Sequence, residues 1–184
     1  MTMQRALQTS QQWWEKIKAD ENRMKGWLAK QYHGEMTAHL RITDFAARYA
    51  PDNRRVKHLL NLIAEQELLH AGWVRDLLVA RGITPAILIK EEPYWNLTLP
   101  QITDFPTMTA VSAHAEGMRL ERIRVIAADA TGPADIREVF QRILPQEEFH
   151  ERTFTEFAGD AAMAATIGQH QRGMESLGLI PPGM

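Results

Sequence analysis

The stretch IAEQELLH, residues 63–70, has a close counterpart in ILPQEEFH, residues 143–150. Each stretch places a glutamate three residues before a histidine, with a glutamine directly before that glutamate. A second matching pair precedes them, HGEMTAHLRI at 33–42 and HAEGMRLERI at 114–123, and each of these has one glutamate in register. The chain therefore consists of two similar halves. In each half, a segment with one glutamate is followed by a segment with Glu-x-x-His.

Apolar residues recur at helical spacing through most of the chain and show no alternating strand pattern, which predicts an all-α protein. Four long helices are predicted, at about Trp14–Tyr49, Arg54–Arg81, Thr107–Ala130 and from Pro133 to Phe157. Gly82 suits the end of the second helix, and Pro145 is expected to kink the fourth. A short amphipathic helix follows, with one face formed by Met163, Ile167, His170 and Met174. The tail GLIPPGM is expected to be irregular.

Residues 83–108 contain four prolines and no helical period, so we predict a long connection between the second and third helices. A connection of this length is explained if it crosses over along a helix bundle. We therefore expect a single domain over residues 1–184. Its bundle would span about residues 10–158, and the C-terminal helix and tail residues 159–184.

Composition excludes several classes of function. The 184 residues are 45% apolar and 24% charged, which is ordinary for a globular domain. A net charge of −2 predicts no nucleic-acid partner. The absence of cysteine excludes disulfides, thiolate zinc sites, thiol catalysis and a four-cysteine iron centre. With no apolar signal segment and no apolar run of roughly 18 residues, we expect no membrane partner and a cytoplasmic protein.

The repeated glutamates and histidines are predicted to share the core of the bundle. Residues three apart lie on one helix face, and these positions interrupt or join the apolar stripes of their helices. The intervals from the single glutamate to Glu-x-x-His, 32 and 31 residues, bring both elements to one level of the bundle. Because buried unpaired carboxylates are costly, we expect cations there. Four carboxylates and two imidazoles suit two Fe or two Mn ions with positions open to O2 or peroxide. The predicted metal ligands are Glu35, Glu67, His70, Glu116, Glu147 and His150.

This pattern resembles the ferritin-like di-iron carboxylate superfamily over about residues 24–158. The resemblance implies a ferritin-like four-helix bundle, a homodimer and redox chemistry on O2 or peroxide. It also implies that Glu67 and Glu147 bridge the two metals. The other four ligands would then bind one ion each, in the pairs Glu35 with His70 and Glu116 with His150.

Several reactions are compatible with this resemblance. The stretch AEQELLHA is similar to the second helix of rubrerythrins. Rubrerythrin-like peroxidases usually carry a further glutamate near the third-helix ligand, whereas the positions here are Ser112, Ala113, Arg119 and Leu120. We predict a di-iron or di-manganese oxidoreductase that uses an unidentified electron donor. The crossover residues Tyr94, Trp95 and Leu97 would cover a pocket for a small organic substrate. The alternatives are a ferroxidase or iron-binding protein without an organic substrate, and a helical interaction module with a vestigial site.

Other residues near the predicted ligands have more ordinary interpretations. His39 has a polar or capping role, or is an additional ligand or a hydrogen-bond partner of one. Tyr32 and Trp73 pack in the core, or line an access channel or transfer electrons. His33 and His114 are expected at the surface or between helices. Of Trp13 and Trp14, one ring is expected to be buried and the other to mark a subunit contact.

Overall fold

A computed structural model describes residues 7–50 and 52–180 of the chain. Within these residues there is no β-strand, which confirms the all-α class, and an isolated bridge joins Gln8 to Leu179. A 3₁₀ turn spans Leu99–Gln101. The α-helices are α1 (Ser10–Lys18), α2 (Glu21–Tyr49), α3 (Arg54–Val79), α4 (Pro93–Thr98), α5 (Phe105–Ala128) and α6 (Ala134–Ser176). No helix in the described ranges is long and apolar enough to cross a membrane.

Four of these helices form the bundle. α2 packs along α3 and α5 packs along α6, so each half of the repeat forms one helical hairpin. Two apolar clusters fill the interior at different levels. One contains Leu28, Val74 and Phe140, and the other contains Leu60 and Phe154. The predicted ligands lie between these clusters, because each falls between apolar residues that belong to one cluster or the other.

The first predicted helix is divided into two. Asp20 interrupts it: its carboxylate accepts hydrogen bonds from the backbone N–H groups of Asn22 and Arg23 and so begins α2. α1 is attached to the far end of α5, where the indole N–H of Trp14 donates to Asp129 Oδ2 at 2.8 Å. Trp14 is 1% exposed, which confirms that one ring of the tryptophan pair is buried.

The crossover contains more helix than the sequence predicted. Pro93 stands at the first position of α4, where its fixed φ is favourable and its missing N–H costs nothing. The prediction of a connection without helix was therefore wrong at this point. α4 packs on α6, and its Tyr94 is buried against Gly173. A Cβ atom on Gly173 would lie 2.6 Å from the Tyr94 ring, so the close approach requires glycine.

α6 consists of the fourth bundle helix and the C-terminal helix, which meet at a kink. The only non-helical residue inside α6 is Gly159, whose φ of 68° is in the left-handed region. Pro145 keeps helical backbone angles, and the break lies two residues beyond the predicted end of the fourth helix at about Phe157. Beyond Gly159 the buried face carries Ala162, Thr166 and His170, whereas Ile167 is 39% exposed and does not belong to it.

Candidate metal centre

The structure brings all six predicted ligands together in the middle of the bundle. They form two groups, and within each group one potential ligand atom per residue lies within 4.8 Å of the others. The first group contains Glu35, Glu67, His70 and Glu147. The second contains Glu67, Glu116, Glu147 and His150. All six side chains are buried, with exposures of 0–4%. Glu67 and Glu147 belong to both groups, so the arrangement consists of two adjoining positions with a shared carboxylate pair.

Most residues of this cluster have a potential metal-ligand atom that forms no hydrogen bond, as is expected of atoms that bind cations. Five of the six residues have a buried atom without a hydrogen-bond partner among the described residues. These atoms are Glu67 Oε1, His70 Nδ1, Glu116 Oε2, Glu147 Oε2 and His150 Nδ1. His150 Nδ1 lies 3.0 Å from Glu67 Oε1, yet the pair lacks hydrogen-bond geometry. Buried polar atoms are normally satisfied, so this concentration of unsatisfied ligand atoms is consistent with a di-metal site.

Two glutamines orient the histidines across the halves of the repeat. His70 Nε2 lies 2.8 Å from Oε1 of Gln146, and His150 Nε2 lies 2.8 Å from Oε1 of Gln66. Since an amide oxygen only accepts, each Nε2 carries the proton. A neutral ring then has its lone pair on Nδ1, which faces the carboxylates. These glutamines were not predicted as functional, although their matching places in the repeat gave the signal.

The sequence profile of the rubrerythrin family matches residues 27–158, well over half of the chain. The chain belongs to the rubrerythrin family. This is a ferritin-like di-iron carboxylate family, so the predicted resemblance is confirmed. No curated protein and no solved structure matches the chain significantly. The match extends over α2, α3, α5 and the part of α6 before Gly159, which are the helices that carry the six residues.

Arg119 is the main feature of this rubrerythrin-family site that the sequence analysis missed. Its guanidinium lies 2.6 Å from Glu35, 3.1 Å from Glu147, 3.4 Å from Glu67 and 3.5 Å from Glu116. The sequence showed Arg119 only as a departure from the further glutamate expected near this position. Its place three residues after Glu116, on the same helix face, was the available signal. The side chain is 21% exposed, so it extends from the carboxylates towards the surface.

The four carboxylates differ in their affinity for protons. Burial opposes ionisation of Glu35, but Arg119 and His70 outweigh it and lower its pKa to about 2. Arg119 and the two histidines likewise hold the pKa of Glu147 well below its usual range. Burial and the nearby Glu147 charge raise the pKa of Glu67 to about 7, and they raise that of Glu116 well above its usual range.

The two histidines are shifted in the same direction. Burial alone would lower the pKa of each ring, but carboxylates beside Nδ1 outweigh it. Glu147 and Glu35 raise the pKa of His70 to about 11, and Glu147 and Glu67 raise that of His150 to about 10. At neutral pH both rings are therefore imidazolium ions, with protons on both nitrogens, unless a cation replaces the proton on Nδ1.

The structure shows what the residues beside the predicted ligands contact. His39 Nδ1 lies 2.8 Å from the carbonyl oxygen of Ala64, so His39 joins α2 to α3 and belongs to neither ligand group. Tyr32 and Trp73 pack against the apolar cluster around Leu28. His33 and His114 were expected at the surface or between helices, and the structure decides for the second interpretation, because their exposures are 4% and 9%.

Proposed function

We propose that the six residues bind two iron ions, or two manganese ions, and that the protein is an oxidoreductase that reacts with O2 or peroxide. The observation that carries this proposal is the pair of overlapping ligand groups with Glu67 and Glu147 in common. We infer that these two carboxylates bridge the ions. Glu35 and His70 would complete one position, and Glu116 and His150 the other. A small organic substrate, an electron donor and a homodimeric state belong to the same proposal.

A pair of such ions supplies one-electron changes that two adjacent metals can share. The chain's own residues prepare the position. Gln66 and Gln146 hold the imidazole protons on Nε2 and leave Nδ1 available as a ligand. The apolar clusters on both sides of the carboxylates exclude water. In the absence of cations, Arg119 supplies the positive charge that the four carboxylates need, and it lies on their solvent side.

Metal content measured by inductively coupled plasma mass spectrometry tests the ligand assignment. The wild type is expected to bind about two iron or manganese ions per chain. Because Glu67 and Glu147 belong to both groups, Glu67→Gln and Glu147→Gln are expected to lose both ions. Glu35→Gln and Glu116→Gln are each expected to retain more metal than these two variants. Glu65→Gln is the matched control, since Glu65 is exposed on the same helix as Glu67.

The redox assignment needs a second measurement on the same preparations. Anaerobically Fe(II)-loaded wild type is mixed with O2 or with peroxide, and oxidation is followed by stopped-flow absorbance. Oxidation by the wild type and by Glu65→Gln, but not by Glu67→Gln, is the expected result. No bound transition metal after anaerobic loading contradicts the metal site. Accumulation of many irons per chain favours the ferroxidase alternative over a resident di-metal centre.

A further inference from the structure

A basic cleft of about 720 Å³ opens beside the carboxylate cluster, between α1, the first half of α2 and α5. The chain as a whole has a net charge of −2, yet no acidic residue lines this cleft in the part of the chain that the structure describes. Its cationic residues are Lys16, Arg23, Lys30, Lys90 and Arg122. Two of them are paired outside the lining, Arg23 with Asp20 at 3.6 Å and Lys90 with Glu92 at 3.7 Å, which leaves Lys16, Lys30 and Arg122 to attract an anion. A concave surface of one sign concentrates ligands of the opposite sign. The cleft therefore favours anions.

Arg122 is the least exposed cation of the cleft. Among the described residues its Nε atom is buried without a hydrogen-bond partner, and its guanidinium forms no ion pair with a carboxylate. The guanidinium lies 4.6 Å from the ring centroid of Trp13. Burial lowers the pKa of Arg122 to about 10, although Glu121 opposes this shift. Arg122 is partly buried, and a cation that loses water without gaining a counter-ion is unfavourable, so an anion in the cleft would relieve that cost.

The repeat supplies a direct comparison for Arg122. Its equivalent in the first half is Arg41, which also lies over an indole, 3.8 Å from the ring centroid of Trp95. Arg41 has a carboxylate partner within the chain, Glu92 Oε2, at 3.6 Å. Arg122 has the indole but no equivalent of Glu92. The missing acid group at this position is what a bound anion would provide.

The cleft leads to the carboxylate cluster. A small cavity of about 30 Å³ lies behind it, shares Gln31 and Arg122 with its lining, and ends at Arg119. Arg119 contacts all four carboxylates, and Gln31 donates a hydrogen bond to Glu35. The side chains of Arg119 and Gln31 thus lie between the cleft and the predicted ligands.

We propose that this cleft binds a small organic anion, a carboxylate or a phosphate monoester with an apolar body, as the substrate of the di-metal centre. The substrate role rests on the proposed function, whereas the binding itself does not. Arg122 and Lys30 bind the acid group, and the apolar body lies against Trp13 and Ile17. The volume is within the usual range for small-molecule sites.

Isothermal titration calorimetry on the full chain tests this site with four probes: benzoate, phenyl phosphate, benzamide and inorganic phosphate. Benzoate or phenyl phosphate is expected to bind. Benzamide, which lacks the charge, and inorganic phosphate, which lacks the ring, are expected to bind at least about tenfold more weakly. The relative affinities of benzoate and phenyl phosphate identify the preferred acid group.

Three variants locate the binding. Arg122→Gln and Lys30→Gln are each expected to weaken the bound aryl anion by about tenfold, the scale of one charge-assisted hydrogen bond. Lys30 is exposed, so its variant keeps the fold even if Arg122→Gln does not. Arg124→Gln is the matched control, because Arg124 is exposed on α5 and pairs with Glu148 away from the cleft. It is expected to bind as the wild type does.

The titrations are run on both metal-loaded and chelator-treated protein, so that the two proposals can fail separately. No binding of either aryl anion overturns the cleft proposal, and so does unchanged affinity in both Arg122→Gln and Lys30→Gln. Inorganic phosphate that binds as tightly as phenyl phosphate overturns the organic ligand. If the chain binds no metal but still binds the aryl anion through Arg122, the cleft stands as a binding site and its substrate role falls with the proposed function.

Discussion

Glu35 and Glu116 occupy equivalent positions in the two halves of the repeat, but their surroundings differ. Glu35 accepts hydrogen bonds from Gln31 and Arg119, and Arg119 outweighs burial to lower its pKa to about 2. At the position equivalent to Gln31 the second half has Ser112, and Glu116 Oε2 has no hydrogen-bond partner in the described part of the chain. Burial raises the pKa of Glu116 well above its usual range. Of these two equivalent side chains, Glu35 is therefore ionised, whereas Glu116 favours the protonated form.

This comparison separates what determines the positions of the ligands from what determines their charge. The repeat sets the positions of the ligands, because matched helices present matched side chains to one level of the bundle. A residue that breaks the repeat sets their charge. Arg119 has Ala38 as its equivalent in the first half, so one guanidinium serves the carboxylates of both halves unequally.

The two halves of the repeat also differ outside the metal site, in the contacts of His33 and its equivalent His114. His33 Nε2 lies 3.0 Å from Glu92 of the crossover, and its Nδ1 accepts from the backbone N–H of Leu88. The equivalent His114 lies 3.1 Å from Thr166 of the C-terminal part of α6. Each half thus uses one histidine to attach a different segment to the bundle.

Of the substitutions that test the difference between Glu35 and Glu116, Arg119→Met is expected to have the largest effect on stability. Methionine keeps an unbranched side chain but removes the charge that contacts four carboxylates. In chelator-treated protein the free energy of unfolding should fall by about 2–4 kcal/mol, somewhat less than for breaking a fully buried ion pair because the side chain is partly exposed. Urea unfolding measures this. Metal should bind more tightly to the variant, since no guanidinium competes for the carboxylates.

Arg124→Met is the control for this prediction, because Arg124 is on the same helix and its ion pair with Glu148 is exposed. Its effect should stay within about 0.5 kcal/mol. Equal losses in the two variants would show that Arg119 does not compensate the buried carboxylates.

The pair Glu35→Gln and Glu116→Gln tests the comparison itself, with a smaller effect. In chelator-treated protein Glu35→Gln should lower the free energy of unfolding by about 1.5–3 kcal/mol, because it removes a charged hydrogen-bond partner of Arg119. Glu116→Gln should instead raise it by about 1–3 kcal/mol, because at pH 7 folding has to protonate a carboxyl that is ionised in the unfolded chain, and glutamine removes that cost. Thermal and urea unfolding at pH 7 measure both.

The direction of the Glu35 pKa shift determines how the effect of Glu35→Gln on stability depends on pH. The pKa of Glu35 is lower in the folded than in the unfolded chain, so its contribution to stability is complete above about pH 4.5 and is lost as the pH falls towards 2. The destabilisation caused by Glu35→Gln should therefore shrink on acidification below pH 4.5, whereas the stabilisation caused by Glu116→Gln should already shrink as the pH falls from 7 to 4.5. Equal destabilisation by both substitutions at pH 7 would contradict the unequal charge of the two carboxylates.

The sequence was sufficient for the parts of the site that the repeat encodes. Register and apolar flanks predicted that all six residues would meet in the core, because helical periodicity fixes which side chains face inward. Arg119 could not be assigned in the same way. An arginine three residues from a glutamate is usually a solvated neighbour, and only the packed bundle shows that it reaches three other carboxylates across the core.

The fold was predictable to the same degree and for the same reason. Helical class and the bundle helices followed from periodicity, whereas α4 is a single turn and a half that no periodicity can reveal. A kink was predicted at Pro145, because proline is the commoner cause of one, and the fourth helix was predicted to end at about Phe157. Pro145 instead remains helical, and Gly159 adopts the left-handed conformation that ends one helical direction and begins another.

The smallest predicted effect is on the protons that metal binding releases. His70 and His150, with pKa values raised to about 11 and about 10, both hold a proton at pH 7 that a metal bound to Nδ1 must displace. Each ion therefore releases about one histidine proton, and its affinity should fall about tenfold for each unit by which the pH is lowered. Calorimetric titration with Mn(II), in two buffers of different ionisation enthalpy, counts these protons.

The two ions should differ in this measurement because their glutamates differ. Ligation by Glu116 displaces a further proton, since its pKa is raised, whereas Glu35 is already ionised. The position that contains Glu116 should thus show the steeper loss of affinity on acidification. Glu116→Gln should remove that additional proton and bring the pH slopes of the remaining binding closer together, whereas Glu35→Gln should not. Identical proton release by both ions in the wild type would mean that Arg119 does not distinguish the two halves once metal is bound.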